Sequence, residues 1–151
     1  MTADDIIAKL DLQPHPEGGW FRQTWIASRA GEDRPAGTCI YFLLRAAERS
    51  HWHRVDAAEI WHFYTGAPLR LSMAAKSAGP ACDHTLGPDL GAGQSPQLIV
   101  PKGHWQAART TGAFTLAGCT VSPGFRFDGF ELAPPDFDIP RPGTASEPPF
   151  A

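Results

Sequence analysis

Apolar and polar residues alternate with a period of two along most of this chain, in short runs broken by glycine and proline. The runs predict nine strands: Trp20 to Ile26, Thr38 to Leu44, Ser50 to Val55, Glu59 to Thr65, Leu69 to Ala74, Gln97 to Val100, Trp105 to Arg109, Phe114 to Val121 and Phe130 to Ala133. Many short strands with turn residues between them are the pattern of an all-β sandwich or barrel. Only the N-terminus reads differently. Thr2 can cap a short helix running through Leu10, with Asp5 three residues on completing a capping box.

Three segments qualify this pattern. Thr38 to Leu44, TCIYFLL, is apolar almost throughout, so both of its faces should be covered. The core would cover one face, and a second layer, for which another subunit is a candidate, the other. Residues 75–93 are rich in Gly, Pro, Ser and Asp and read as a long loop, either a pocket lid or a disordered connection. From Pro134 onward the proline content rules out a helix or a central strand. The expected division is therefore one domain over residues 1–133 and an extended tail over 134–151, laid on the surface through Phe137 and Ile139.

At 151 residues with a formal net charge of -3, the chain can bury a core of its own without disulfides. It has no Lys/Arg cluster, which argues against nucleic acid and against an anionic membrane surface as partners. No apolar run approaches the roughly 20 residues of a membrane span, and the N-terminus does not read as a signal peptide, so a cytoplasmic location is expected. Cys39 and Cys119 lie in apolar strands and Cys82 in a polar stretch, an odd count without metal spacing that reads as free thiols.

Candidate chemistry concentrates in Ser50 to Gly66, SHWHRVDAAEIWHFYTG. In an extended strand His51 and His53 point to one face and Trp52 to the other. Two imidazoles on one face can bind a transition metal or a polar substrate. Glu59 opens the next strand, which could run antiparallel beside the first and aim its carboxylate into the same space. A histidine beside a carboxylate is also the arrangement for proton abstraction, and Tyr41 could supply the matching acid. Trp61 and Phe63 share the face of Glu59 and are candidates for a pocket wall, whereas His62 should face the other way. His15 and His84 read as surface residues, and Arg126, Asp128 and Glu131 as a solvated rim.

The order His51, His53, Glu59, Gly66, followed by Pro101-Lys102-Gly103 and Gln106, resembles the two-motif signature of the cupin superfamily. The strings HPEGGWFRQTW, TCIYFLL, SHWHRVDAAEIWHFYTG, PKGHWQAA and LAGCTVSPGFRFDGFEL are similar to the small single-domain cupin-5 group, labelled predicted sugar epimerases. The resemblance implies a double-stranded β-helix, or jelly roll, usually a homodimer, with a polar site inside the barrel. It implies Glu17 and Arg22 as pocket residues from the first string. It also implies His51, His53, Glu59 and Gln106 as the corners of a site for a divalent metal such as zinc, iron, nickel or manganese. Gln106 stands where metal-binding cupins carry their last histidine, and an amide oxygen is a poorer donor to such metals than an imidazole. Three functions remain open: an epimerase or isomerase acting on a sugar or sugar nucleotide, a metal-dependent oxygenase or isomerase, and a non-catalytic metabolite binder.

Overall fold

The computed structural model describes residues 1–28, 30–31 and 33–142. Helix α1 spans Ala3–Leu10, and the capping box is formed: the Asp5 amide donates to Thr2 Oγ1 at 3.2 Å and the Thr2 amide to Asp5 Oδ2 at 2.8 Å. The strands are β1 (Gln13–Pro14), β2 (Trp20–Ile26), β3 (Thr38–Arg45), β4 (Ser50–Val55), β5 (Ala58–Gly66), β6 (Leu69–Ala74), β7 (Cys82–Leu86), β8 (Gln97–Val100), β9 (Trp105–Thr110), β10 (Phe114–Ser122) and β11 (Phe130–Leu132). They form two antiparallel sheets, one in the order β1-β2-β3-β10-β5-β8 and the other β11-β4-β9-β6-β7. The fold is the all-β jelly roll with a short N-terminal helix that the sequence predicts.

Side-chain alternation explains where the core sits. Phe42 and Leu44 of β3, Trp61 of β5, Leu69 and Leu71 of β6 and Ala117 of β10 point between the sheets and form the main core with Leu86 and Val100. Further along the same strands the inward residues become Thr38 and Ile40 on β3, Glu59 on β5, and Cys119 and Val121 on β10. One end of the barrel is thus packed with aliphatic and aromatic groups. The other end is left open around polar ones.

One expectation is filled in and two are corrected. The layer over the outer face of β3 at Leu43 is α1, whose Ile6, Ile7 and Leu10 pack with Leu12, Leu43 and Leu116. The stretch 75–93 contains strand β7, which pairs antiparallel with β6 from Leu69↔Leu86 to Met73↔Cys82. Its polar residues suit an edge strand, and Asp83 takes hydrogen bonds from Ser72 and Arg141. Finally, β4 and β5 are not neighbours. They belong to opposite sheets, so Glu59 reaches the interior from across the barrel.

The segment after β11 returns over the outer face of the second sheet. Ile139 is fully buried in a cluster with Trp52, Ala74, Ala81 and Trp105, and the Phe137 ring lies 5.2 Å from that of Trp105. Trp52 Nε1 donates to Asp138 Oδ1 at 2.9 Å, and the Ala81 amide to the Pro140 carbonyl at 2.8 Å. Residues 143–151 of the predicted tail lie outside the described residues. Truncating a fully buried aliphatic side chain costs about 2–4 kcal/mol in lost transfer energy and cavity formation. Ile139→Ala is therefore expected to lower the urea midpoint by that equivalent at constant m-value. A loss below about 1 kcal/mol would mean that this segment does not belong to the cooperative unit.

Candidate functional site

The open end of the barrel is a cavity of about 140 Å³, whose polar lining is His15, Glu17, Gln23, Thr38, His53 and Glu59. Glu17 enters on the turn His15-Pro16-Glu17-Gly18-Gly19, closed by Gly18 N–H to the His15 carbonyl at 3.0 Å and His15 N–H to the Gly19 carbonyl at 2.9 Å. The turn docks on the start of β4, where the His51 amide donates to the Glu17 carbonyl at 2.8 Å. Gly18 is required at that contact: its φ is +111°, and a Cβ would lie 1.9 Å from the Arg49 carbonyl oxygen.

β4 itself is irregular. Ser50 pairs with Ala108 and His53 with Gln106, so three residues on β4 span the distance of two on β9. This bulge puts Ser50 and His53 inside the barrel while His51 and Trp52 both face the returning segment 134–141. The His51 Nε2 lies 2.7 Å from the Pro134 carbonyl and lines the outer cleft with Trp52. The expectation that His51 and His53 share a face is overturned, because simple alternation does not survive a bulge between them.

Inside, hydrogen bonds fix each group. The Glu17 amide donates to His15 Nδ1 at 3.1 Å, so the neutral His15 ring carries its proton on Nε2. His53 Nδ1 donates to the His51 carbonyl at 2.7 Å, leaving the Nε2 lone pair facing Glu17 Oε2 at 3.4 Å. Ser50 Oγ donates a short hydrogen bond to the same oxygen of Glu17. Across the cavity, Gln106 Nε2 donates to Glu59 Oε1 at 2.7 Å, and Gln106 Oε1 accepts from Trp61 Nε1 at 2.8 Å.

Burial sets the charge states. Desolvation raises the Glu17 carboxyl to about 8, against the lowering effect of Ser50. It also raises Glu59 to about 7, with Glu17 adding to the rise and His53 opposing it. The same desolvation lowers His15 to about 3 and pushes His53 down from its ordinary value. The His15–Glu17 contact at 3.3 Å and the His53–Glu17 contact at 3.4 Å look like ion pairs by distance alone. With both rings held neutral and Glu17 held protonated near neutral pH, they are contacts between uncharged partners.

Of the residues singled out in the sequence, Glu17, His53 and Glu59 converge on this cavity, and Gln106 supports Glu59 from behind. Trp61 is 1% exposed and belongs to the core, as does the partly buried Phe63. Tyr41 lies on the outer face of its sheet, where its ring sits 5.9 Å from the Arg22 guanidinium, and Arg22 Nη1 donates to the Leu10 carbonyl. Neither reaches the cavity. His15 and Ser50 belong to the site although the sequence reading placed neither there, and so do Phe21, Phe125, Phe127 and Phe130 along the apolar wall.

A metal fits this set poorly. His51 lies on the far side of the sheet, and Gln106 uses its amide oxygen on Trp61 and its amide nitrogen on Glu59. Only His53 and Glu59 of the implied four remain. Among the described residues, no group of three or more His, Cys, Asp or Glu is arranged to hold a metal ion.

The buried carboxyls give stability a definite pH dependence. A group whose folded pKa is raised stabilises the fold fully below its unfolded value, near 4.5, and that contribution is lost as pH rises through the folded value. His15 and His53, whose folded values are lowered, act with the opposite sign up to their unfolded value near 6.5, so the net loss of unfolding free energy, up to about 1.4 kcal/mol per pH unit for each carboxyl proton, is expected between about pH 6.5 and pH 8. Glu17→Gln should flatten this slope, a comparison made by urea unfolding at both ends of the interval. Parallel slopes for the two proteins would show that Glu17 is ionised in the fold.

The comparisons agree with this architecture. A protein from Shewanella oneidensis is 43% identical, with a TM-score of 0.83 over 88% of this chain and 85% of that one. A hypothetical protein from Leishmania major is 29% identical, with a TM-score of 0.79 over 88% of each chain. An oxalate decarboxylase from Bacillus subtilis, at 12% identity and a TM-score of 0.62, shares the fold over 82% of this chain and 31% of its own. No curated protein matches the sequence. The cupin superfamily family described as DUF985 matches residues 4–133, and the chain belongs to that family.

Proposed function

We propose that this cupin is an isomerase or epimerase that moves a proton at a carbon beside a carbonyl group, on a small compound such as a sugar. One observation carries the reading: two buried carboxyls, Glu17 and Glu59, line one cavity with His53, and both are raised into the neutral range. Acid–base catalysis needs a base and an acid whose pKa values lie near the working pH but are pushed apart, so that one is ionised while the other holds its proton.

Glu59, at about 7, serves as the base, and Glu17, at about 8, as the acid. The ionised Glu59 takes the proton from carbon, and the C–H pair becomes the C=C of an enediol as the carbonyl oxygen receives the proton of Glu17. Return of the proton from Glu59 to the neighbouring carbon, as Glu17 takes one from the hydroxyl of the original carbon, gives the isomer. Return to the original carbon after the enediol has turned its other face to Glu59, as Glu17 takes back the proton it gave, gives the epimer. His53 touches Glu17 through a nitrogen with a free lone pair, and Ser50 donates to the same carboxyl. These two partners orient the acid and relay its proton. Gln106, held by Trp61, fixes the base.

Size restricts the substrate. The cavity is small, at about 140 Å³. A small carbonyl compound or one sugar ring suits it, and the nucleotide of a sugar nucleotide would have to lie outside.

Exchange of solvent deuterium into the carbon beside the carbonyl tests the proposal with a panel of aldoses and ketoses. The rate should be greatest between about pH 7 and 8, falling below as Glu59 protonates and above as Glu17 ionises. Glu59→Gln should lower it at least about a hundredfold. His51→Ala, checked for folding, should leave it unchanged within error, since His51 faces away from the cavity. Tight binding of a panel member with no exchange at any pH would instead make the protein a metabolite binder.

A further inference from the structure

The lining of the cavity has a charge bias that the proton-transfer chemistry does not require. Glu17 and Glu59 are its only acidic groups apart from the Cys119 thiol, and no lysine or arginine lines it among the described residues. The Arg34 guanidinium is committed elsewhere: it makes two bonds to Asp56, at 2.6 and 3.0 Å, and one to the Gly124 carbonyl at 2.8 Å. Arg126 stands 3.5 Å from Asp128 and does not line the cavity. An anionic substituent placed inside would meet the ionised Glu59 with no fixed positive charge to offset it.

The apolar wall points the same way. Phe125, Phe127 and Phe130 come from one short segment and stand nearly perpendicular to one another, with centroids 4.9 to 6.1 Å apart and interplanar angles of 64° to 86°. Phe21 completes the wall opposite, in edge contact with His15 at 4.5 Å. Plain burial of a neutral apolar group needs no such set, since Ile, Val or Leu would serve. Phenyl rings add an attraction for positive charge that reaches about 6 Å from the ring centre. Phe127, at 57% exposed, carries that surface out to the mouth.

We infer that the occupant of this cavity is a small organic cation, a protonated or quaternary amine held between the phenyl wall and the carboxylate of Glu59. The inference rests on the proton-transfer reading only for the statement that this cavity is the reactive one. In those terms the substrate class is an amino-carbonyl compound, such as an amino sugar in its ammonium form. A positive charge beside Glu59 favours the ionised form of that carboxyl and so supports its role as base.

Choline and its neutral carbon isostere, 3,3-dimethyl-1-butanol, have nearly the same shape and differ in charge. Isothermal titration calorimetry of the full chain should find choline bound at least about tenfold more tightly, and pyruvate, a small anion, more weakly than either. Phe130→Leu, which keeps the wall apolar but removes a ring, should weaken choline several-fold and leave the alcohol unchanged. Equal or tighter binding of the alcohol, or preference for pyruvate, overturns the inference. Deuterium exchange into glucosamine and glucose separates it from the preceding proposal. Exchange into glucose without choline preference refutes the cation and keeps the proton transfer. Choline preference with exchange into neither sugar supports the cation and removes the proton transfer.

Discussion

The site depends on holding a carboxyl group where little water reaches it. Glu17 sits between the sheets because its backbone is fixed twice, by the turn closing on His15 and Gly19 and by the His51 amide. Its side chain then has no choice of environment, and burial decides its protonation. Once Glu17 holds a proton, the neighbours follow: His53 and His15 need no charge to face it, and Ser50 gives it a hydrogen bond that any protonation state accepts. Glu59, across the barrel, feels the same desolvation and the same neighbour. Chain geometry has set the chemistry of the pocket.

The two ends of the barrel divide the labour along single strands. On β3 the inward positions pass from Leu44 and Phe42 to Ile40 and Thr38. On β5 they pass from Phe63 and Trp61 to Glu59. Trp61 lies at the boundary, buried in the core by its ring and joined to the site by its indole nitrogen through Gln106. The packed end holds the sheets at the spacing that the open end needs. A side chain lost from the packed end would therefore act on the site without touching it.

Period two in the sequence was enough to place nine strands, most of them to within a residue or two, because each presents an apolar face to one core. It missed β7, whose Cys82, Asp83, His84 and Thr85 have no apolar rhythm and are held by pairing with β6 and by Ser72 and Arg141. The candidate site was legible where a residue's strand was regular: Glu59 and Gln106 face inward as alternation requires. His51 was misplaced because a bulge is a property of two strands in register, and nothing in the string SHWHRV shows the partner. Glu17 came from likeness to a family, and His15 was read as surface, because their positions depend on where a turn docks. The three phenylalanines of the segment after β10 could have lined the barrel mouth or packed the core, and the sequence did not separate the two, since aromatic residues fill most cores.

The bulge in β4 makes one short stretch of chain serve two surfaces. Ser50 and His53 belong to the interior, while His51 and Trp52 bind the segment that returns from β11. Without the bulge, simple alternation back from His53 would turn the His51 ring toward the cavity and the Ser50 hydroxyl away from it. A two-histidine floor suited to a metal and an acid pocket with a single inward imidazole are thus separated by the register in which β4 pairs with β9 rather than by the identity of its residues. Within this fold the same letters can spell either site, and a substitution table has no way to tell them apart.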